Sequence, residues 1–328
     1  MSTLSLKGSY WVTVRQYRRT LWLAVAAVAA SLAVIGGLRI WDAQTPDMWV
    51  QDGYWIPSDG NRGFRTLMWA MEYAGGGLIL LPLLVAAFVA GPLVAREYES
   101  GTYRLSLTQS VTPAVWLRTK LVAAGAAALL VTLALVGVFR IGWGRVSSPG
   151  NHAWDPGPYA ATGIVLFAYL LAAVAVGALV GQLIRRTLLA MAATGVVLGV
   201  VLLVLGTLRW SFLPTRRATG PASEPLWAPH NGLTTDSGML TSTGARFDED
   251  VCWREVDRAT GHLDGADPDL WERVHGQCLA RNGVTSRFVD YHPPSHFWPT
   301  QLIESGIVLA LAALALFAAF RVLRARHP

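Results

Sequence analysis

Residues 160–208 read Ala160-Ala-Thr-Gly-Ile-Val-Leu-Phe-Ala-Tyr-Leu-Leu-Ala-Ala-Val-Ala-Val-Gly-Ala-Leu-Val-Gly-Gln-Leu-Ile184, then Arg185-Arg186-Thr187, then Leu188-Leu-Ala-Met-Ala-Ala-Thr-Gly-Val-Val-Leu-Gly-Val-Val-Leu-Leu-Val-Leu-Gly-Thr-Leu208. Two long apolar runs stand back to back across three residues. A helix needs about 20 apolar residues to cross the hydrocarbon of a bilayer, and each run is long enough. Two adjacent arginines are too costly to hold in hydrocarbon, so they mark a tight turn at the membrane edge. The stretch is a membrane-crossing helical hairpin.

Four more runs of similar character lie at 21–40, 74–95, 121–142 and 302–321, making six spans with those at 160–184 and 188–208. Of the 328 residues 53% are apolar and only 15% charged, where soluble domains carry about 25%. The expected fold class is an all-α polytopic membrane protein. The net charge of +6 could suggest nucleic acid in a soluble chain. Here the basic residues gather at the ends of apolar runs, so the lipid bilayer explains them and no nucleic-acid partner is expected. The first run is too long for a signal-peptide core and no Ala-x-Ala site follows it, so it is expected to remain as a span. Pro82 and Pro92 are expected to kink the second span. Gly177-x3-Gly181 and Gly195-x3-Gly199 allow close helix contact without identifying the partner helix.

With the N-terminus inside, the segments 1–20, 96–120, 185–187 and 321–328 become cytoplasmic. They hold 13 of the 27 Lys/Arg and only 2 of the 21 Asp/Glu. The positive-inside rule therefore places both termini in the cytoplasm of a multi-pass cell-membrane protein. Residues 5–20 put Leu6, Tyr10, Val14, Tyr17 and Leu21 at helical spacing, with Lys7, Arg15, Arg18 and Arg19 off that stripe. That pattern suits an interfacial amphipathic helix, or a plain basic flank of the first span.

The charged stretch 92–120 lies between the second and third spans. Arg96, Glu97 and Glu99 mark the exit from hydrocarbon, and Gly101-Thr102 reads as a helix stop followed by a cap. Thr112-Pro113 opens a new helix, and Trp116, Arg118 and Lys120 sit at the interface. Glu97, Glu99, Gly101, Thr102, Pro113, Trp116 and Lys120 together resemble the first cytoplasmic loop of type-2 ABC exporter permeases. The resemblance implies that this loop is a coupling helix docking on a separate ATPase, with Glu97, Glu99, Gly101, Thr102 and Arg104 as the coupling residues. It implies two ATPase subunits carrying ATP and Mg, a second permease copy or close relative, and alternating access. No cofactor is expected on this chain. Read from the residues alone, the stretch could also be an ordinary solvated loop.

The longest polar segment, 209–301, is expected to be a small outward-facing helical domain. Asp267-Pro268 opens a helix over about 268–280, and a second is expected near 249–259. The only cysteines, Cys252 and Cys278, lie on apolar faces of these helices. An oxidising exterior allows them to form a disulfide contributing roughly 3 kcal/mol; two buried thiols are the alternative. Tyr291-x-Pro-x3-Phe297-Trp298-x2-Gln301, followed by Glu304, resembles a segment of an actinobacterial branch of the same permease family. Glu304 falls one turn into the last span and needs a cationic partner, for which Arg39 and Arg140 at span ends are the candidates. The domain order is thus 1–20, an interfacial helix; 21–208, five spans with the loop 96–120; 209–301, an extracellular domain; and 302–328, the sixth span and tail.

Catalytic and metal-binding chemistry is sparse. No phosphate-binding Gly-x4-Gly-Lys-Ser/Thr loop occurs, and Lys7 and Lys120 are the only lysines. His292 and His296 have helical metal-ligand spacing, but Pro293 and Pro294 between them oppose a regular helix, and no metal is expected. The residues and the resemblance together imply a non-enzymatic permease subunit exporting an amphipathic or lipid-like compound. The alternative is a membrane-anchored enzyme or sensor working through 209–301.

Overall fold

The computed structural model describes residues 15, 18–45, 48–51, 54–57, 61–103, 112–147, 154–229, 232–260 and 268–326, without the side chains of 48–51, 54–57 and 268–269. Six helices are long and apolar enough to cross a membrane. The chain divides into two compact units, Met1–Trp210 with Thr300–Pro328, and Ser211–Pro299.

The first unit begins with α1 (Arg18–Gln44), a hairpin of β1 (Met48–Gln51) and β2 (Tyr54–Pro57), and α2 (Arg62–Leu84). A π-helical turn over Val85–Ala90 joins α2 to α3 (Gly91–Ser100). Then come α4 (Pro113–Val146), α5 (Pro156–Thr162), α6 (Val165–Ile184), α7 (Thr187–Leu208) and, after the second unit, α10 (Phe297–Arg326). The expected helix over 5–20 falls largely outside the described residues.

The two prolines frame the wide turn in the second span. Pro92 has no N–H for the carbonyl one helical turn back, and at Gly91 the N–H reaches instead to Ala86 O, five residues away. This is where the neighbouring helices come closest. A Cβ on Gly177 would sit 2.4 Å from Ala90 Cβ, and one on Gly91 would sit 2.9 Å from Met191 Cα. The small residues of α6 and α7 thus pack against the second span of the same chain. Between α6 and α7, the turn is so short that Arg185 takes a left-handed φ of 55°, rare for a residue with a Cβ.

The second unit has the helices expected of it and, beyond that expectation, a sheet. Its two helices are present as α8 (Asp250–Thr260) and α9 (Pro268–Arg281). It also holds an antiparallel sheet of β3 (Arg216–Pro221), β4 (Leu233–Thr241), β5 (Arg246–Phe247) and β6 (Val284–His292), in the order β3-β6-β4-β5. These strands are rich in polar residues and only β6 is largely shielded, so the apolar alternation that marks a strand is weak. A disulfide joins Cys252 on α8 to Cys278 on α9. Around it Met239, Leu279 and Val284 complete a small core, and Arg281 pairs with Glu255 at its edge.

Charges alternate across the sheet. Arg217 on β3 faces Asp290 on β6 and bonds it with two 2.7 Å contacts. Asp236 on β4 faces the same Asp290 and receives two bonds from Arg246 on β5. The hydrogen-bonding Arg246 guanidinium holds the Asp236 carboxyl below the usual range, and Arg217 does the same for Asp290. A depressed carboxyl stabilises the fold above its unfolded pKa and loses that contribution as pH falls through the lower folded value. Stability of this unit is therefore expected to decline below about pH 4. Near-UV circular dichroism of the full chain should show the loss, and Asp236→Asn/Asp290→Asn should flatten it; an unchanged acid profile would mean the pairs contribute nothing.

Candidate functional site

Charged side chains inside the membrane unit are few, and three carboxylates organise them. Strand-free connectivity fixes their ends. The chain passes back and forth, so α1, α4 and α7 finish at the same end of the bundle at which α2, α6 and α10 start. Asp42 and Glu304 lie at that end, and Glu97 lies at the other.

At the Glu97 end, α3 stops at Gly101, which takes a φ of 71°. Thr112 caps α4, its side chain accepting from the Val115 N–H. The helix stop and restart are those expected from Gly101 and Thr112-Pro113. Glu97, however, turns inward. Its Oε1 receives Lys120 Nζ at 2.5 Å and its Oε2 receives Trp116 Nε1 at 3.0 Å, both from α4. Glu97 and Lys120 are 8% and 4% exposed, so this is a buried ion pair. The expectation that Glu97 projects toward basic residues of a partner is therefore corrected: one turn before the helix end, its register aims it at α4. Tyr98 extends the contact, its ring tilted against Tyr103 at 4.7 Å and edge-on to Trp116. Arg185, in the α6–α7 turn, sits over the Tyr98 ring.

Glu99 remains exposed and accepts the Thr187 N–H at 2.8 Å. Thr187 is the first residue of α7, so a carboxylate lies at a helix N-terminus, where backbone N–H groups lack partners. At the same end Arg326 of α10 donates to Gln182 O of α6. Gly101 and Thr102 are exposed, and Arg104 lies outside the described residues. The base of this loop is thus tied to α4 by Glu97 and to α7 by Glu99.

At the opposite end Glu304 is fully buried. Its partner is neither Arg39 nor Arg140. Arg209, just past α7, grips it with Nε–Oε2 and Nη2–Oε1 bonds of 2.7 and 2.8 Å. Tyr169 of α6 and Tyr159 of α5 donate to the two oxygens at 2.8 and 3.2 Å. The Arg209 guanidinium also covers the Tyr159 ring at 4.0 Å. All the carboxylate acceptor capacity is used, which a buried charge requires. Arg39 instead pairs with Asp42 one helical turn on, and Arg140 donates to Thr162 O. Both were chosen as span-end cations, but neither helix carrying them meets α10 at Glu304, whereas α7 runs straight to it.

Gln301, one turn before Glu304, reaches across to α6. Its Oε1 accepts the Ile164 and Val165 N–H groups and its Nε2 donates to Tyr159 O, so a neighbouring helix supplies the missing cap. A Cβ on Gly163 would fall 2.1 Å from that amide, and only glycine leaves it room. Asp42 forms the third knot, at 3% exposure. Arg39, Arg145 and Asn61 all donate to its carboxylate, joining the ends of α1 and α4 to the start of α2. In the separate second unit, His292 and His296 lie on a strand end and a 3-10 turn with their Nδ1 atoms 3.1 Å apart.

Asp42, Arg209, Tyr159 and Tyr169 do not stand out in the sequence, and Gln301 does so only as part of the segment before the last span. Arg209 had a usable signal, since antiparallel neighbours put the end of one span beside the start of the next inward run. Glu304→Gln leaves Arg209 buried without a counter-charge and is expected to cost about 3–5 kcal/mol, while Arg209→Met/Glu304→Leu should recover most of it. Thermal unfolding of the full chain in detergent measures both; a single variant as stable as the wild type would show that the pair is not holding the helices.

A family model described as ABC-2 membrane transporter related matches residues 22–209. No curated protein matches the chain.

Proposed function

We propose a transport mechanism from one premise: this chain belongs to the family of ABC-2 membrane transporter related proteins. Membership makes it a multi-pass permease subunit of an ABC transporter. In the proposed mechanism it works as an exporter. ATP and Mg are bound by a separate ATPase, two copies of which serve two permease chains, either identical or closely related. The stretch 96–112 is the coupling element, on the cytoplasmic side with both termini, and the 211–299 unit is outside. The exported compound is amphipathic or lipid-like, in keeping with the apolar second and fifth spans.

The observation that carries this reading is the wiring at the loop base. Glu97 holds α3 to α4 through Lys120 and Trp116, and Glu99 holds it to the start of α7 through Thr187. A push on the exposed Gly101-Thr102 corner therefore moves three spans together rather than bending one loop. In this reading Glu97 transmits force inside the chain, and Glu99, Gly101, Thr102 and Arg104 are nearest the partner. Buried ion pairs suit such a role, because breaking one costs far more than straining an exposed contact.

The test is co-purification with a co-expressed ABC ATPase, followed by ATP hydrolysis in nanodiscs. Lys120→Glu is expected to lower permease-stimulated hydrolysis by roughly tenfold, within the usual range of coupling energies. Glu97→Lys/Lys120→Glu should restore half or more of it, with thermal stability tracked in parallel. If the complex forms but hydrolysis ignores both variants, coupling does not pass through this pair. If no ATPase binds, the alternative of an enzyme or sensor built on 211–299 gains the weight.

A further inference from the structure

Helices α1, α2 and α4, with the π-helical turn, enclose a cavity of 480 Å³ that none of the ion-pair clusters touches. Its origin is compositional. Ala24 and Ala27 on α1 and Ala123 and Ala127 on α4 all line it, and these short side chains leave space between the helices unfilled. The remaining wall is almost all hydrocarbon, from residues such as Leu21, Leu84, Phe88 and Val131, with Thr20 and Thr132 the polar residues in it. Leu84 and Phe88 line it while 51% and 64% exposed, so it opens sideways at the outer surface of the bundle.

The cavity runs along the second span from Leu81 to Leu93, about 18 Å at 1.5 Å per residue. That is close to one leaflet, about 15 Å of a 30 Å hydrocarbon core. One end is strongly basic. Arg18 precedes Leu21 by three residues, Arg19 precedes Leu23 by four, and Arg96 follows Leu93 by three, which puts each on the helix face that lines the cavity. All three are exposed, and among the described residues none is in an ion pair. The nearby carboxylate of Glu97 is already neutralised by Lys120.

We infer that this cavity holds one acyl chain of a resident anionic phospholipid, its phosphate at Arg18, Arg19 and Arg96. An apolar slot one leaflet deep with cations at its headgroup end favours an anionic lipid over a zwitterionic one, whose choline offsets the charge of its phosphate. The lipid wedges the first span against the second and third where alanine leaves them unpacked. A chain that exported nothing would still bind it.

The full-length protein is reconstituted in nanodiscs of phosphatidylglycerol and phosphatidylcholine, extracted into detergent, and weighed by native mass spectrometry. Wild type should retain one phospholipid per chain with a roughly tenfold preference for phosphatidylglycerol, the size of one or two arginine–phosphate contacts. Ala127→Trp, which fills the slot, should lose it. Val200→Trp, on the exposed face of α7, should keep it, and Arg18→Gln/Arg19→Gln/Arg96→Gln should abolish the preference. Because Ala127→Trp could misfold, wild type is also labelled with phosphatidylglycerol bearing an acyl-chain diazirine. Labels concentrated at 81–93 and 123–135 support the site. Even labelling of all spans, equal retention of the two lipids, or a disulfide between two chains through a cysteine at Ala127, meaning that a second copy fills the slot, would overturn it.

Discussion

A charge buried between packed helices must find its counter-charge within the protein, because the packing shuts out the water that would otherwise solvate it. That requirement governs how these helices meet. Asp42, Glu97 and Glu304 are each buried, and each takes its cation from a different helix or from the end of one. None of the three pairs could form within an isolated span at its observed geometry, apart from the Arg39 contact of Asp42. Assembly of the bundle and neutralisation of its charges are therefore the same event. Glu304 shows how far this goes. Two tyrosines and a bidentate arginine satisfy it completely, and the same stretch of α10 caps α6 through Gln301.

Between the polar ends the helices are held by shape. Where glycine and alanine face each other, as Gly177 faces Ala90, the backbones close to contact. The π-helical turn lies there, so the second span is widest where its neighbours are thinnest. On its other side, alanines of α1 and α4 line a cavity. Small residues thus give contact on one face of the second span and leave space on another.

The two ends of the bundle carry different kinds of clamp. The Glu304 and Asp42 knots are dense and multidentate, suited to rigidity. At the Glu97 end, among the described residues, one ion pair, one helix-terminal carboxylate and a group of tilted and edge-on aromatics connect α3 to α4 and to the α6–α7 turn. The 211–299 unit has its own sheet, disulfide and charge ladder, and its stability does not have to come from the bilayer.

Much was legible in the chain itself. Six runs of hydrocarbon length define six spans, because transfer of apolar surface depends on composition more than on neighbours. Gly101 and Thr112-Pro113 set a helix stop and a start through local backbone preferences, and the two cysteines read as a pair by being the only ones. Pairing across helices was not legible. Glu304 needs a cation, and Arg39 and Arg140 are no less plausible as span-end residues than Arg209, for which the order of the spans is the one hint. Glu97 and Glu99 looked alike two residues apart, yet helical register turns one inward to Lys120 and leaves the other at the surface. Strands of four polar-rich segments became a sheet only through long-range register. Local composition determined which segments enter the membrane; the tertiary packing alone decided which charges meet there, because an ion pair depends on distance in space and the sequence records only distance along the chain.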